Sequence, residues 1–317
     1  MNKKSLTITT GAMVTAIFGV LMLLNRQTGN LFQELFLFLY PIPMVAYCAL
    51  YGWKSGIPVL AAMSFLSVLF GNITSIFYAM TQAFIGLVFG GCLYHKIDMT
   101  KTLFAVMILS AVVNVLNTIV LGFLFGFDLN QEAAEMQIMM NTIFEQAGVV
   151  IPEDILTVNY IKQILVVSMT LLGILQGFIV YEVSLLLLRR LRFPVQKPKS
   201  IYLYAPPKWT GYGALVAFFV YNIKLVQPFE NEALQNAALT VGLFGYLYLL
   251  CFGFIAILLI LKIYFPKIGV FGFLICLMVT VMFPFLEIMA GYLYIVSLYR
   301  QELLKKYMEK KSSQETT

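Results

Sequence analysis

The chain has 317 residues, of which 61% are hydrophobic and 11% are charged, with a net charge of +6 and a mean hydropathy of +0.88. So little charge excludes a soluble domain, and the lack of alternating apolar and polar strands argues against an outer-membrane barrel. Because apolar runs of about 20 residues recur along the chain, we predict an all-α, polytopic transmembrane helical bundle. Its partner is then the lipid bilayer in which it is embedded.

The predicted helices follow the hydrophobic segments. These cover residues 6–24, 35–52, 56–70, 75–94, 102–125, 161–188, 210–226, 237–261 and 268–299. The first segment follows a basic start, MNKK, but no small-residue cleavage site comes after it, so we interpret it as a retained helix. Two segments are short, and the sequence predicts about eight to ten membrane segments in total.

The last segment is too long for one untilted span at a rise of ~1.5 Å per residue. Pro284 lies near its middle, where it removes a backbone donor and clashes with the preceding turn. We therefore predict two short helices joined near Pro284.

The positions of lysine and arginine predict the orientation. Basic residues precede the first helix and fill 189–200, RRLRFPVQKPKS, whereas the connection 126–160 carries acidic residues and no Lys or Arg. By the positive-inside rule, we expect the N-terminus and the basic C-terminal tail to be cytoplasmic, with Arg26 as the main exception to the pattern. Since this charge serves orientation, we expect no nucleic-acid partner.

The connection 126–160 also predicts a helix of its own. Asn130 can cap a helix that runs to Gln146, and Gly148 can end it. One face of this helix is apolar, formed by Met136, Met139, Ile143 and Phe144. We favour an amphipathic helix on the surface or against the bundle, and a lid over an outward-facing cavity is the alternative.

A change in composition divides the chain. The stretch 189–208 is basic and contains four prolines. We predict four regions, namely a six-helix region at 1–192, a linker at 193–208, further membrane helices at 209–300 and a tail at 301–317.

Three stretches of the first region resemble the substrate-binding S-components of energy-coupling-factor (ECF) transporters. They are LTITTGAMVTAIFGV, YPIPMVAYCALYGWKSGIPVLAAMSFLSVLFG and TQAFIGLVFGGCLYHK. With its ending FPFLEIMAGYLYIVSLYRQ, the whole chain resembles the YybS-like membrane proteins of Gram-positive bacteria. The resemblance implies a bacterial plasma membrane, an unknown small-molecule ligand, and a transmembrane coupling subunit that works with an ATPase.

The first helix carries a stripe of small side chains. In S-components a small-xxx-small pattern lets the coupling subunit approach closely, and here that pattern falls on Ala12 and Ala16. In lipid, close backbone approach drives helix association, which supports a partner interface. Packing of both alanines inside the bundle is an equally good interpretation.

Uncharged polar side chains inside the predicted spans form a second candidate site. They are Gln82, Asn114, Asn117 and Gln176. Such amides usually hydrogen-bond between helices, contributing ~1 kcal/mol each. The alternative is the polar lining of a small-molecule pocket, which is also where the resemblance places a substrate.

Glu182, Lys224 and Glu287 are charged side chains within the spans, where charge costs ~2.5–3.5 kcal/mol even on the gentler insertion scale. We expect Glu182 to reach the interface or to pair locally, because Arg189 and Arg190 follow two turns later. Glu287 follows Pro284 by three residues, and we predict that it bonds to the broken helix or pairs with Lys224.

Several chemistries find no support in the sequence. It has no P-loop and no GxSxG motif, it contains a single histidine, and its four cysteines form no CxxC. We therefore expect neither an enzyme, nor a metal site, nor a cofactor. The leading hypothesis is an S-component-like binding or uptake subunit. The alternative is a membrane scaffold or regulator that carries no substrate.

Overall fold

The computed structural model describes residues 3–126, 128–148, 157–193, 195, 206–227, 229–265 and 269–315. Within these residues the elements are helices. They are α1 (Lys3–Gln27), α2 (Gln33–Leu39), α3 (Pro41–Phe70), α4 (Ile73–Tyr94), α5 (Met99–Phe125), α6 (Leu129–Gln146), α7 (Val158–Arg190), α8 (Lys208–Val226), α9 (Glu232–Tyr264), α10 (Gly269–Met282), α11 (Pro284–Val296) and α12 (Tyr299–Glu315). The prediction of an all-α fold is confirmed.

The chain forms two compact units, Met1–Pro198 and Lys199–Thr317. The first contains α1–α7 and the second contains α8–α12. Most of the predicted linker at 193–208 lies outside the described residues, as do the last two residues of the tail. The assignment of the predicted regions as domains stays a prediction.

Six helical runs among the described residues are long and apolar enough to cross a membrane. They are Lys4–Gln27, Gln33–Phe70, Ile73–Tyr94, Met99–Phe125, Val158–Arg190 and Ala233–Tyr264. The bent pair Phe271–Met282 and Pro284–Val296 makes a seventh candidate. The predicted number was higher because Gln33–Phe70 combines two predicted segments, and because α8, with its two lysines and Asn222, is not among the six.

Short polar side chains fix where the helices begin. Asn72 caps α4 by accepting a hydrogen bond from the Ser75 backbone N–H at 2.8 Å, and Asp98 caps α5 in the same way. The helix predicted in the connection 126–160 is present as α6, but the capping residue is Asp128 and not Asn130. Asn130 instead accepts a hydrogen bond from Lys162 Nζ at 2.7 Å, which ties α6 to α7.

In the first unit, glycines bring α4 against α3. A Cβ at Gly86 would lie 2.5 Å from the carbonyl oxygen of Pro41, and one at Gly90 would lie 2.7 Å from that of Val45. This is the close backbone approach that drives helix association in lipid. The core beside this contact contains Phe18, Tyr40, Met44, Met63 and Ala83, contributed by α1, α3, α4 and the junction between α2 and α3.

Gly52 divides α3 into two pieces. Its φ of 78° lies in the left-handed region, which a residue with a side chain rarely adopts, and the Tyr94 ring closes the space where a Cβ would be. The predicted segments 35–52 and 56–70 correspond to the stretches before and after this glycine.

In the second unit, α8 and α11 both pack against α9 and run antiparallel to it. Gly242 of α9 contacts Tyr221 of α8, and Gly253 of α9 contacts Glu287 of α11. The predicted break near Pro284 is confirmed, because α10 and α11 meet there at a bend of 112°. Pro284 is the first residue of α11, a position where proline's missing N–H costs nothing.

Candidate functional sites

A groove of about 840 Å³ runs between α1 and α3. Its α1 wall extends from Thr7 to Leu23, which corresponds to about 24 Å of helix and therefore to most of the ~30 Å hydrocarbon core. The middle of this wall carries only small side chains, namely Gly11, Ala12, Thr15, Ala16 and Gly19. We call this feature the α1–α3 groove.

The two predicted interface alanines lie in the α1–α3 groove with exposed side chains. The glycines next to them are buried, since Gly11 packs against Val59 and Gly19 against Leu66. Gly11 and Gly19 thus hold α1 against α3, whereas Ala12 and Ala16 face away from this contact. The first unit does not bury either alanine in its own core.

A second cavity, about 280 Å³ in volume, lies where α1 ends, α3 ends and α4 begins. We call it the Asn25 pocket. Its polar lining consists of Asn25, Arg26, Asn30, Asn72 and Ser75. Asn25 Nδ2 donates to Asn30 Oδ1 at 3.1 Å, and Ser75 Oγ lies 3.3 Å from the same oxygen.

Some polar atoms of the Asn25 pocket have unused hydrogen-bonding capacity. Asn25 is 1% exposed, yet its Oδ1 has no hydrogen-bond partner. The buried Tyr40 hydroxyl interacts with Asn25 without the geometry of a hydrogen bond. The exposed Arg26 adds a guanidinium at the edge, so the pocket offers both an acceptor and a cationic donor.

The Asn25 pocket was not predicted from the sequence, since its residues come from two separate stretches, 22–30 and 69–75. One signal was present. Arg26 is the main exception to the positive-inside pattern. The orientation of the chain therefore does not explain why this residue is basic.

The predicted amide site joins three helices of the first unit. Asn117 Nδ2 of α5 donates to Thr81 Oγ1 of α4 at 3.0 Å, and Asn114 Nδ2 of α5 donates to Gln176 Oε1 of α7 at 3.5 Å. Gln82, beside Thr81, is buried. The structure thus brings together the helices that carry the four amides, and Thr81 is the partner that sequence reasoning missed.

The contact between α5 and α7 is tight around these amides. A Cβ at Gly173 would lie 2.7 Å from the Ala111 Cα, and one at Gly177 would lie 2.7 Å from the Met107 Cα. Buried polar atoms without a partner remain next to it. They are Gln82 Oε1, Ser110 Oγ and Gln176 Nε2. The amides therefore hold the helices together and still leave hydrogen-bonding capacity unused.

The intramembrane charges occupy different surroundings. Glu182 is half-buried on α7, and Arg189 is the charged side chain that acts on it. Glu287 is fully buried, and neither of its carboxyl oxygens has a hydrogen-bond partner. The ammonium of Lys224 lies 3.6 Å from the centre of the Phe229 ring.

The predicted pairing of Glu287 with Lys224 is wrong. Glu287 meets α9 at Gly253, whereas the end of α8 passes α9 at Gly242, through Tyr221. Those two positions on α9 are separated by about 16 Å at 1.5 Å per residue. Lys224 lies one further turn along α8, still farther from the carboxyl.

Together, the long apolar helices, the glycine contacts and the polar groups between helices define an integral membrane protein of the polytopic helical class. Among the described residues, no three His, Cys, Asp or Glu side chains gather closely enough to hold a metal ion. The chain belongs to the family described as predicted membrane protein DUF2232, whose model matches residues 16–291. Neither the comparison with curated proteins nor that with solved structures gave a match.

Proposed function

We propose that the protein is an S-component-like subunit that binds a small molecule and docks on a transmembrane coupling subunit. The α1–α3 groove is the observation that carries this proposal. Its wall offers small side chains over about 24 Å, and these allow a partner's backbone to approach closely. The occupant that fits such a groove is a single apolar transmembrane helix.

The ligand site that best supports the proposal is the Asn25 pocket. Its volume of about 280 Å³ lies just below the ~300–1,000 Å³ of typical ligand pockets, so it suits a very small molecule. The unpartnered Asn25 Oδ1 accepts a hydrogen bond, while Arg26 attracts a carboxylate or phosphate. A small molecule with both a donor and an anionic group satisfies both residues. The amides between α4, α5 and α7 then stabilise helix packing within the same unit.

One experiment tests both parts. The protein is purified in a mild detergent, and native mass spectrometry identifies bound small molecules and associated membrane subunits. We expect Ala12→Leu with Ala16→Leu to remove the associated subunit, because leucine fills the groove, while a bound ligand is retained. Ala61→Leu, at an exposed position of α3 outside the groove lining, is the matched control and should change neither.

The ligand is tested separately. Arg26→Gln should remove a bound anionic molecule and leave the associated subunit, whereas Arg190→Gln, at the exposed end of α7, should leave both. If the wild-type protein carries a ligand and Arg26→Gln keeps it, the Asn25 pocket is not its site. If the groove variants keep the subunit, the groove is not the interface.

The second candidate function is a membrane scaffold or regulator without a substrate. The observation in its favour is that Asn114, Asn117 and Gln176 already bond between helices. A scaffold predicts that associated subunits are lost in the groove variants, and that no small molecule accompanies the wild-type protein.

A further inference from the structure

Glu287 lies in the first turn of α11, directly after the break at Pro284. Its side chain is 0% exposed, and the residues that cover it belong to the second unit itself. Burial therefore does not depend on the surrounding lipid. Both carboxyl oxygens lack a hydrogen-bond partner. This combination requires a chemical explanation, because buried carboxyl groups in proteins are normally hydrogen-bonded or paired.

The α9 side of this site is main chain. Gly253 faces both the carbonyl and the side chain of Glu287, and no larger residue would fit there. Cys251, two residues before Gly253, is exposed. Lys262 lies nine residues beyond Gly253, about 14 Å along the helix, so α9 supplies no cation to the carboxyl.

No cation from the other helices packed on α11 is bonded to the carboxyl. On α10, the Thr280 side chain interacts with it, and the buried Cys276 lies one turn before Thr280. Gly211 of α8 meets α11 at Ile295 and Val296, two turns beyond Glu287. Arg300 of α12 has buried Nε and Nη1 atoms that, like the carboxyl oxygens, have no hydrogen-bond partner. In the part of the chain that the structure describes, no basic side chain lies within hydrogen-bonding distance of either carboxyl oxygen.

Thr280 of α10 does not hold the carboxyl in its ionised form. Its hydroxyl donates to the carbonyl oxygen of Cys276 at 3.0 Å, and neither carboxyl oxygen of Glu287 has a hydrogen-bond partner. Because a buried carboxylate without a donor is unfavourable, the surroundings suit the neutral acid.

An ionised carboxylate without a partner is very costly in such a place, and the group neutralises instead. We propose that Glu287 is a proton-binding site at the break between α10 and α11, occupied by a proton while α11 is packed on α9. The proton adds to a carboxylate oxygen when the contact closes. It leaves to solvent when the contact opens, and no other bond changes.

The proposal predicts how stability depends on pH. A carboxyl that keeps its proton in the folded state ionises more readily after unfolding, so the unfolded state binds fewer protons as the pH rises. The stabilisation by the neutral acid is then complete at low pH and is lost as the pH increases. Glu287→Gln replaces the acid by a neutral side chain of the same shape and should not show this loss.

The first measurement is the infrared spectrum of the whole protein in detergent. We expect the C=O stretching band of a protonated carboxylic acid at neutral pH, and we expect Glu287→Gln to lack it. Glu302→Gln, at an exposed position in the first turn of α12, is the matched control and should retain the band.

The second measurement is the apparent melting temperature between about pH 5 and about pH 9. The wild type should fall relative to Glu287→Gln by roughly 4 °C or more across this range, and Glu302→Gln should follow the wild type. An unchanged infrared band in Glu287→Gln would overturn the proposal. So would a wild-type melting temperature that does not fall relative to Glu287→Gln as the pH rises.

Discussion

Two helix pairs pack closely with polar side chains at the contact, α5 with α7 and α9 with α11. The polar groups at the two contacts differ. Both place glycines where the two backbones touch, Gly173 and Gly177 in the first unit and Gly253 and Gly291 in the second. At the first contact the neighbouring polar groups are amides, which are neutral at any pH. At the second it is a carboxyl, so only this contact can respond to protons.

At a glycine contact, the closeness of the two helices and the chemistry of the contact are set by different residues. Glycine sets how closely two helices approach, because a missing side chain lets main chain meet main chain. The polar residue beside the glycine sets what the contact can do. An amide can both donate and accept a hydrogen bond, whereas a carboxyl without a cation must be neutral to stay buried.

The largest expected effect is at the α9–α11 contact. A methyl group at Gly291 would overlap with the carbonyl oxygen of Leu249, and one at Gly253 would overlap with that of Glu287. Backbone carbonyls cannot move aside as flexible side chains do. We expect Gly291→Ala to destabilise the second unit by about 3 kcal/mol or more, measured as loss of the thermal unfolding transition or a large fall in its midpoint.

Gly213→Ala is the control for this experiment. Gly213 lies on α8 in the same unit, and a Cβ there would meet nothing within 4 Å. The variant should match or slightly exceed wild-type stability, because alanine has the higher helix propensity. Equal stability of Gly291→Ala and Gly213→Ala would show that α9 and α11 are not in backbone contact.

A smaller loss is expected at the α5–α7 contact. A Cβ at Gly173 would lie 2.7 Å from the Ala111 Cα, a gap that a modest shift of one helix can open. We expect Gly173→Ala to cost about 1–3 kcal/mol in the same unfolding measurement. Leu172→Ala, at the adjacent exposed position, should have less effect. A cost at Gly173 larger than that at Gly291 would reverse the comparison between the two contacts.

Features that depend on local chemistry were predictable from the sequence. The predicted segment 75–94 corresponds to Ile73–Tyr94, and 161–188 corresponds to Val158–Arg190. Span length follows from bilayer thickness, and the break at Pro284 follows from one missing N–H and one clash, so neither requires knowledge of a neighbouring helix.

Features that depend on how helices are aligned were not predictable. Glu287 and Lys224 are complementary charges, but their helices cross α9 at positions about 16 Å apart, and a hydrophobic pattern carries no information on such an offset. The Asn25 pocket is formed by stretches around Asn25 and around Asn72, which are far apart in the sequence. No sequence pattern indicates that these two stretches meet. The amide site was predicted as residues, yet its partner Thr81 depends on the register between α4 and α5.

The smallest expected effect concerns single hydrogen bonds among the amides. Asn117→Ala and Thr81→Val each remove the 3.0 Å bond between α5 and α4, and each should cost about 1 kcal/mol. Because both variants delete the same bond, the double variant should cost less than the sum. Asn114→Ala and Gln176→Ala break a bond of 3.5 Å, so their coupling should be weaker. Thermal unfolding of all single and double variants measures both couplings. Additive costs for Asn117 and Thr81 would show that this bond does not couple α4 to α5.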